Sequence, residues 1–234
     1  MLKQQTARLA GFIYLIVVVT GIISIAYVPS QLISLSDPLA TVENIRNSER
    51  LYRVGVYTGV LCYIAFLILP FVLYKLFQET SKNAAALMII LSVVSVPLSI
   101  FNLVGKLDVL TLINSEVLET IYTHQQIGAQ VMLKLRSYNN GIMITQVFWG
   151  LWLFPFGYLV YQSRLIPRVF GVLLMLGCLS YLVRFSVQII APEISLPSWV
   201  RLPSTLGEIG TCLWLLIMGA KSSAVEATKD NELS

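Results

Sequence analysis

The chain has 234 residues, of which 56% are hydrophobic and only 12% charged, and its mean hydropathy is +0.77. A water-soluble domain carries roughly 25% charged residues, so this composition leaves too few to cover a solvated surface and excludes a soluble fold. The net charge of +4 comes from basic residues scattered in ones and twos between apolar runs. They form no stripe that could track phosphates, so the chain reads as having no nucleic-acid partner.

Six apolar stretches come near the ~20 residues that a membrane-crossing helix needs. They lie at about 9–28, 54–74, 84–105, 139–161, 168–191 and 201–220. None carries the strand-length alternation of an outer-membrane barrel. The predicted fold is all-α, an integral membrane bundle of six transmembrane helices forming a single domain over 1–221, with a short polar tail at 222–234. The first stretch follows a basic start and contains Ser24-Ile25-Ala26, which resembles a cleavage site. Its apolar run outlasts the core of a signal peptide, so it reads as a retained span.

Two long loops follow from this spacing, each expected to hold a short amphipathic helix. In the first, Ser36-Asp37-Pro38 predicts a helix start, with Leu39, Val42 and Ile45 on one side. In the second, Leu110, Ile113, Val117 and Ile121 recur at helical spacing and predict one segment suited to the membrane interface. Such loops either cap a cavity or lie on the headgroups. With the N-terminus inside, Lys3, Arg8, Lys75, Lys82, Arg164, Arg168, Lys221 and Lys229 fall in short inner segments. Arg46, Arg50, Arg53, Lys106, Lys134, Arg136 and Arg201 fall in longer outer ones. The positive-inside rule then places both termini in the cytoplasm.

Polar groups inside hydrocarbon are the first candidates for function. Arg184 in the fifth span and Glu208 in the sixth would each cost about 2.5–3.5 kcal/mol at a helix centre. Counted from the span ends, both lie about 10 Å below the outer boundary, which predicts a buried ion pair. Asn102, Gln146, Arg53, Lys106 and Asp108 fall in the same outer layer, as does the pair Asn139-Asn140. Together with Arg184 and Glu208 they are the candidate lining of an outward-facing polar pocket. The competing reading is a stitch between two helices, with the remaining charges snorkelling to headgroups.

Gly55 and Gly59 form a small-xxx-small face for close helix packing, and Gly207 and Gly210 flank Glu208. Pro70, Pro97 and Pro155 each remove a backbone hydrogen bond inside a span. Trp149, Trp152, Trp199 and Trp214 read as packing or interface anchors. His124 is the only histidine, and Cys62, Cys178 and Cys212 form no CxxC. Neither a metal site nor a cofactor is expected. Motifs for nucleotide binding, zinc proteolysis and a serine nucleophile are missing from the sequence.

Ala7-Arg8-Leu9-Ala10-Gly11 leads into Tyr14-Leu15. Asp37, Ala40-Thr41, Glu43-Asn44-Ile45 and Tyr52-Arg53-Val54-Gly55 follow. Further on stand Val147-Phe148-Trp149-Gly150-Leu151, Gly157-Tyr158-Leu159, Pro167-Arg168, Gly207-Glu208-Ile209 and Leu213-Trp214-Leu215-Leu216. In these elements the chain resembles, nearly end to end, a bacterial multi-pass membrane family known as domain of unknown function 4386. The resemblance implies a six-helix bacterial inner-membrane protein and carries over no activity or catalytic residue.

The leading functional expectation is binding or transport of a small or amphipathic molecule, with the bilayer and a small-molecule or lipid ligand as partners. The alternative is a non-catalytic accessory or immunity-type protein that packs against a partner, with homo-oligomers left open and Gly55 and Gly59 as the packing face. A membrane enzyme using Glu208 or Asp108 comes third.

Overall fold

A computed structural model describes residues 3–221 of the chain, and the polar tail predicted at 222–234 lies outside the described residues. Among these residues every regular element is helical. The chain runs α1 (Lys3–Gly21), a π-helical turn (Ile22–Tyr27), α2 (Val28–Leu32), α3 (Pro38–Asn47), α4 (Glu49–Phe77) and α5 (Lys82–Asn102). It continues through α6 (Val104–Asn114), α7 (Glu116–Ile121), α8 (His124–Leu151), α9 (Leu153–Ser163) and α10 (Arg168–Ile190). A 3₁₀ turn (Ser198–Arg201) leads into α11 (Leu202–Ile217).

Five stretches are long and apolar enough to cross a membrane by length and composition: Lys3–Leu32, Glu49–Phe77, Lys82–Asn114, His124–Ser163 and Arg168–Ile190. The protein is a multi-pass helical membrane bundle. The sixth predicted stretch contains α11, whose 16 residues extend about 24 Å. That is short of the ~30 Å hydrocarbon core, because the chain ahead of it winds as a 3₁₀ turn and the helix stops at Gly219, in left-handed conformation at φ 71°.

The contacts divide the chain into two compact units, one built from residues within 3–15, 65–95 and 146–221, the other from 16–64 and 96–145. The first unit has an aromatic core. Trp152 and Phe156 stack with centroids 5.2 Å apart, Phe66 meets Trp152 edge-on at 5.0 Å, and Tyr14 reaches Trp152 at 6.3 Å. Pro155 offers no N–H to Leu151, and α8 ends at that residue.

Two backbones in this unit nearly touch. A Cβ on Gly157 would stand 2.6 Å from the Gly171 carbonyl, and one on Gly171 would stand 2.7 Å from the Gly157 carbonyl. The tight connection between α9 and α10 turns on Arg164 in left-handed conformation at φ 59°. At the two ends of the described chain, the Gln4 amide donates to the Met218 carbonyl at 2.8 Å and accepts from the Ala220 N–H at 2.9 Å.

The second unit buries Val28, Leu32, Val42, Ile45, Tyr52, Val109, Ile113, Val131 and Leu135 among its core residues. α3 starts where the sequence predicts. Asp37 caps it by accepting from the Ala40 N–H at 3.0 Å, and Pro38 takes the first turn. Val42 and Ile45 are buried, whereas Leu39 is exposed and Thr41 takes the third inner place, bonded to Ser34 O at 2.9 Å.

The second predicted loop is instead almost wholly helical. No proline interrupts 104–136, so α6 and α8 extend the flanking helices, and Lys134 on α8 pairs with Asp108 on α6 at 2.8 Å. The single amphipathic segment predicted there is two helices, because Ser115 breaks the run and caps α7 by accepting from the Leu118 N–H. Leu110 and Ile113 are buried in α6, while Val117 and Ile121 in α7 are 67% and 64% exposed. Arg46 clips α3 to this break through the Ile113 carbonyl at 3.0 Å and through Glu119.

Gly157→Val should lower the thermal unfolding midpoint by several degrees, since overpacking against a backbone atom costs about 1–3 kcal/mol. Gly105→Ala, whose added Cβ meets nothing nearer than 3.4 Å, should leave it near wild type. Thermal melts of the three purified proteins in one detergent make the comparison.

Candidate functional site

The site in the second unit begins with a fault in a helix. In the π-helical turn the Val28 N–H bonds to the Ile23 carbonyl, five residues back. The Ser24 carbonyl therefore loses its usual donor, and its own five-residue partner is Pro29, which has no N–H. The Lys106 ammonium fills the gap, donating to Ser24 O at 3.0 Å. Lys106 is 3% exposed, and its ammonium also lies 4.3 Å from the centroid of the Tyr138 ring, a favourable cation–π distance. The Tyr52 hydroxyl donates to the Lys106 carbonyl at 3.2 Å and fixes this stretch of α6.

No carboxylate comes within ion-pair distance of Lys106 among the described residues. Asp108, two residues on, is taken by Lys134. Glu49 is held by Arg53 at 2.6 Å and by the Asn114 amide at 3.1 Å. A buried ammonium has three donors, and without a counter-charge it stays costly. Beside it a cavity of about 330 Å³ opens, with Lys106, Tyr138, Asn139 and Ser30 as its polar lining and side chains such as Ile33 and Leu135 as its apolar lining. The volume lies at the lower end of small-molecule pockets.

Of the residues expected to line one polar pocket, Lys106 and Asn139 line this cavity. Asn102 donates to the Tyr138 carbonyl at 2.8 Å and packs against Gly141. Arg53 and Asp108 are bound in the pairs just described. Gln146 lies partly buried on α8 in the first unit. Gly55 and Gly59 face their own chain. A Cβ on Gly55 would stand 2.8 Å from Val28, and one on Gly59 would stand 2.7 Å from the Ser24 hydroxyl. Their face is therefore already covered by the turn that carries the fault.

In the first unit Arg184 and Glu208 do not form the expected ion pair. Gly177 packs on Ser204, Gly207 on Leu173 and Leu174, and Gly210 on Phe170. In this register Glu208 is level with about residue 173, and Arg184 lies some 16 Å farther along α10. Glu208 instead accepts from the Tyr181 hydroxyl at 3.3 Å. Side chains lean toward the start of their own helix, so on antiparallel helices Tyr181 and Glu208 lean toward each other. The Arg184 guanidinium lies 5.9 Å from the Tyr181 ring centroid. Among the described residues no three His, Cys, Asp or Glu side chains gather as a metal-ligand set.

Sequence reasoning missed Ser24, Pro29 and Tyr138 as parts of the Lys106 site. The available signal was Pro29 five residues after Ser24, with no boundary between them. Pro29→Ala restores a donor that can reach the Ser24 carbonyl. It should therefore be more favourable in a Lys106→Met background than in wild type, by about 1 kcal/mol. A double-mutant cycle on unfolding free energy reads that coupling, and additive effects would refute the capping role.

No curated protein and no solved structure matches the chain. Residues 9–219 match the family described as Domain of unknown function (DUF4386), in agreement with the resemblance seen in the sequence. A match across that much of the chain, on an all-helical membrane bundle, means that this protein belongs to the DUF4386 family.

Proposed function

We propose that the protein binds a small amphipathic molecule with an acidic head in the cavity beside Lys106. The observation that carries this reading is a buried ammonium without a carboxylate partner, at the wall of a cavity whose other lining is largely apolar. An anionic head would complete the donors that Ser24 leaves unused, and a hydrocarbon tail would cover Ile33 and Leu135. A charge-assisted hydrogen bond formed away from water is the strong kind, so the head rather than the tail sets selectivity. Nothing in this arrangement requires a reaction, and the reading is of a binding protein rather than an enzyme. The setting we propose is the plasma membrane, with α11 counted as a sixth span and both termini cytoplasmic, supported by the basic residues of the short segments. The reading of an accessory protein docking through Gly55 and Gly59 is weakened by Val28 and Ser24, which fill that face.

The test compares dodecanoate with dodecanol, which share a tail and differ in the head. Dodecanoate should raise the melting midpoint of the full-length protein in dodecyl maltoside, and it should bind at least about tenfold more tightly than dodecanol. Lys106→Met should abolish the preference. Equal binding of the two probes, or a preference that survives in Lys106→Met, refutes the reading. Lys106→Gln, which keeps a donor for Ser24 O without the charge, serves if the Met variant fails to fold.

A further inference from the structure

A second cavity, in the first unit, lies at the hairpin between α10 and α11. It measures about 220 Å³ and is lined by Arg184, Gln188 and Arg201 together with Pro192, Pro197 and neighbouring apolar side chains. No acidic residue lines it. Arg184 and Arg201 share its wall, and neither arginine has an ion pair among the described residues. Glu208, the acid expected to neutralise Arg184, is held by Tyr181 instead.

Two guanidinium groups on one wall repel each other, and a bound anion reverses the sign of that interaction. Guanidinium offers planar, paired donors that match the oxygens of a phosphate, and the Gln188 amide adds a neutral donor. The cavity is several times the ~30 Å³ that a water molecule occupies in the liquid, so a phosphate group fits with solvent to spare. Its surroundings are apolar as well as basic. Ile190, Ile194, Trp199 and Leu202 are all exposed around the hairpin, and an exposed tryptophan beside arginines is the pattern of a membrane–water boundary.

We infer that Arg184 and Arg201 form a phosphate-binding site at this hairpin, able to take the headgroup of a phospholipid or a free phosphate. The inference does not rest on the Lys106 cavity, which is lined by other residues and draws on a separate unpaired charge.

The experiment uses the full chain in dodecyl maltoside and native mass spectrometry. The probes are dihexanoyl phosphatidylglycerol, dihexanoylglycerol (which lacks the phosphate) and inorganic phosphate. Wild type should retain the phospholipid at least about tenfold better than the diacylglycerol. Arg184→Gln combined with Arg201→Gln should lose that preference, while Arg50→Gln, an exposed arginine on α4, should keep it. If inorganic phosphate displaces the phospholipid from wild type, the site takes free phosphate. If it does not, the site is specific for the lipid headgroup. No preference in wild type, or a preference that persists in the double variant, overturns the inference. Arg201→Gln alone, on an exposed side chain of the 3₁₀ turn, gives the same comparison if the double variant does not fold.

Discussion

Much of the second unit is arranged around one backbone oxygen. The Ser24 carbonyl is orphaned twice, once by the π-helical shift that gives the Val28 N–H to Ile23 and once by Pro29. In hydrocarbon such an atom must find a donor, because no water is there to supply one. Lys106 meets that need from another helix, and the requirement spreads outward. Gly59 lacks a side chain where Ser24 presses close, Tyr138 gives the ammonium a ring face, and Tyr52 holds the Lys106 backbone. One defect thus fixes the relation of four helical segments within this unit.

The two units handle charge differently. Half of the formally charged side chains of the second unit are paired at its surface, Arg53 with Glu49, Lys134 with Asp108 and Arg46 with Glu119. Surface pairs of this kind contribute about 0–1 kcal/mol each, so they arrange the chain more than they stabilise it. Lys106 stands apart from that pattern because it is buried and has only a carbonyl for company. In the first unit the acid Glu208 finds a phenol, and the cation Arg184 shares a cavity wall with a second cation, Arg201. Charges left open in this way, beside cavities, are where a membrane protein of otherwise closed packing has the means to recognise something else.

Hydropathy alone made the membrane bundle legible, and the Asp37-Pro38 start of α3 was readable because a cap is a local signal. Three features were not readable, each for its own reason. The pairing of Arg184 with Glu208 failed because counting from span ends assumes that both helices of a hairpin begin level. The true register is set by Gly177 on Ser204 and Gly207 on Leu173, contacts that no spacing rule reveals. The second loop turned out helical because its polar residues find partners, Asp108 with Lys134 across α6 and α8 and Lys106 with the Ser24 carbonyl, and a window average sees only their polarity. The Lys106 site itself depends on a hydrogen-bond shift in the π-helical turn after α1, and Pro29 signals that shift only where the helix is known to continue past it.

The clasp between the ends of the described chain has a consequence for how the protein is made. Gly11 on α1 packs against the backbone of Leu216, the Cys212 thiol reaches the Gly11 carbonyl at 3.7 Å, and Gln4 holds Met218 and Ala220. Synthesis runs from the N-terminus, so α1 enters the bilayer long before α11 exists. Until then the groove at Gly11 faces lipid or a chaperone, and the Gln4 amide has none of its final partners. A helix inserted well before α11 is therefore among the last to reach its final contacts, and a ribosome stalled before residue 216 would leave this unit unable to close.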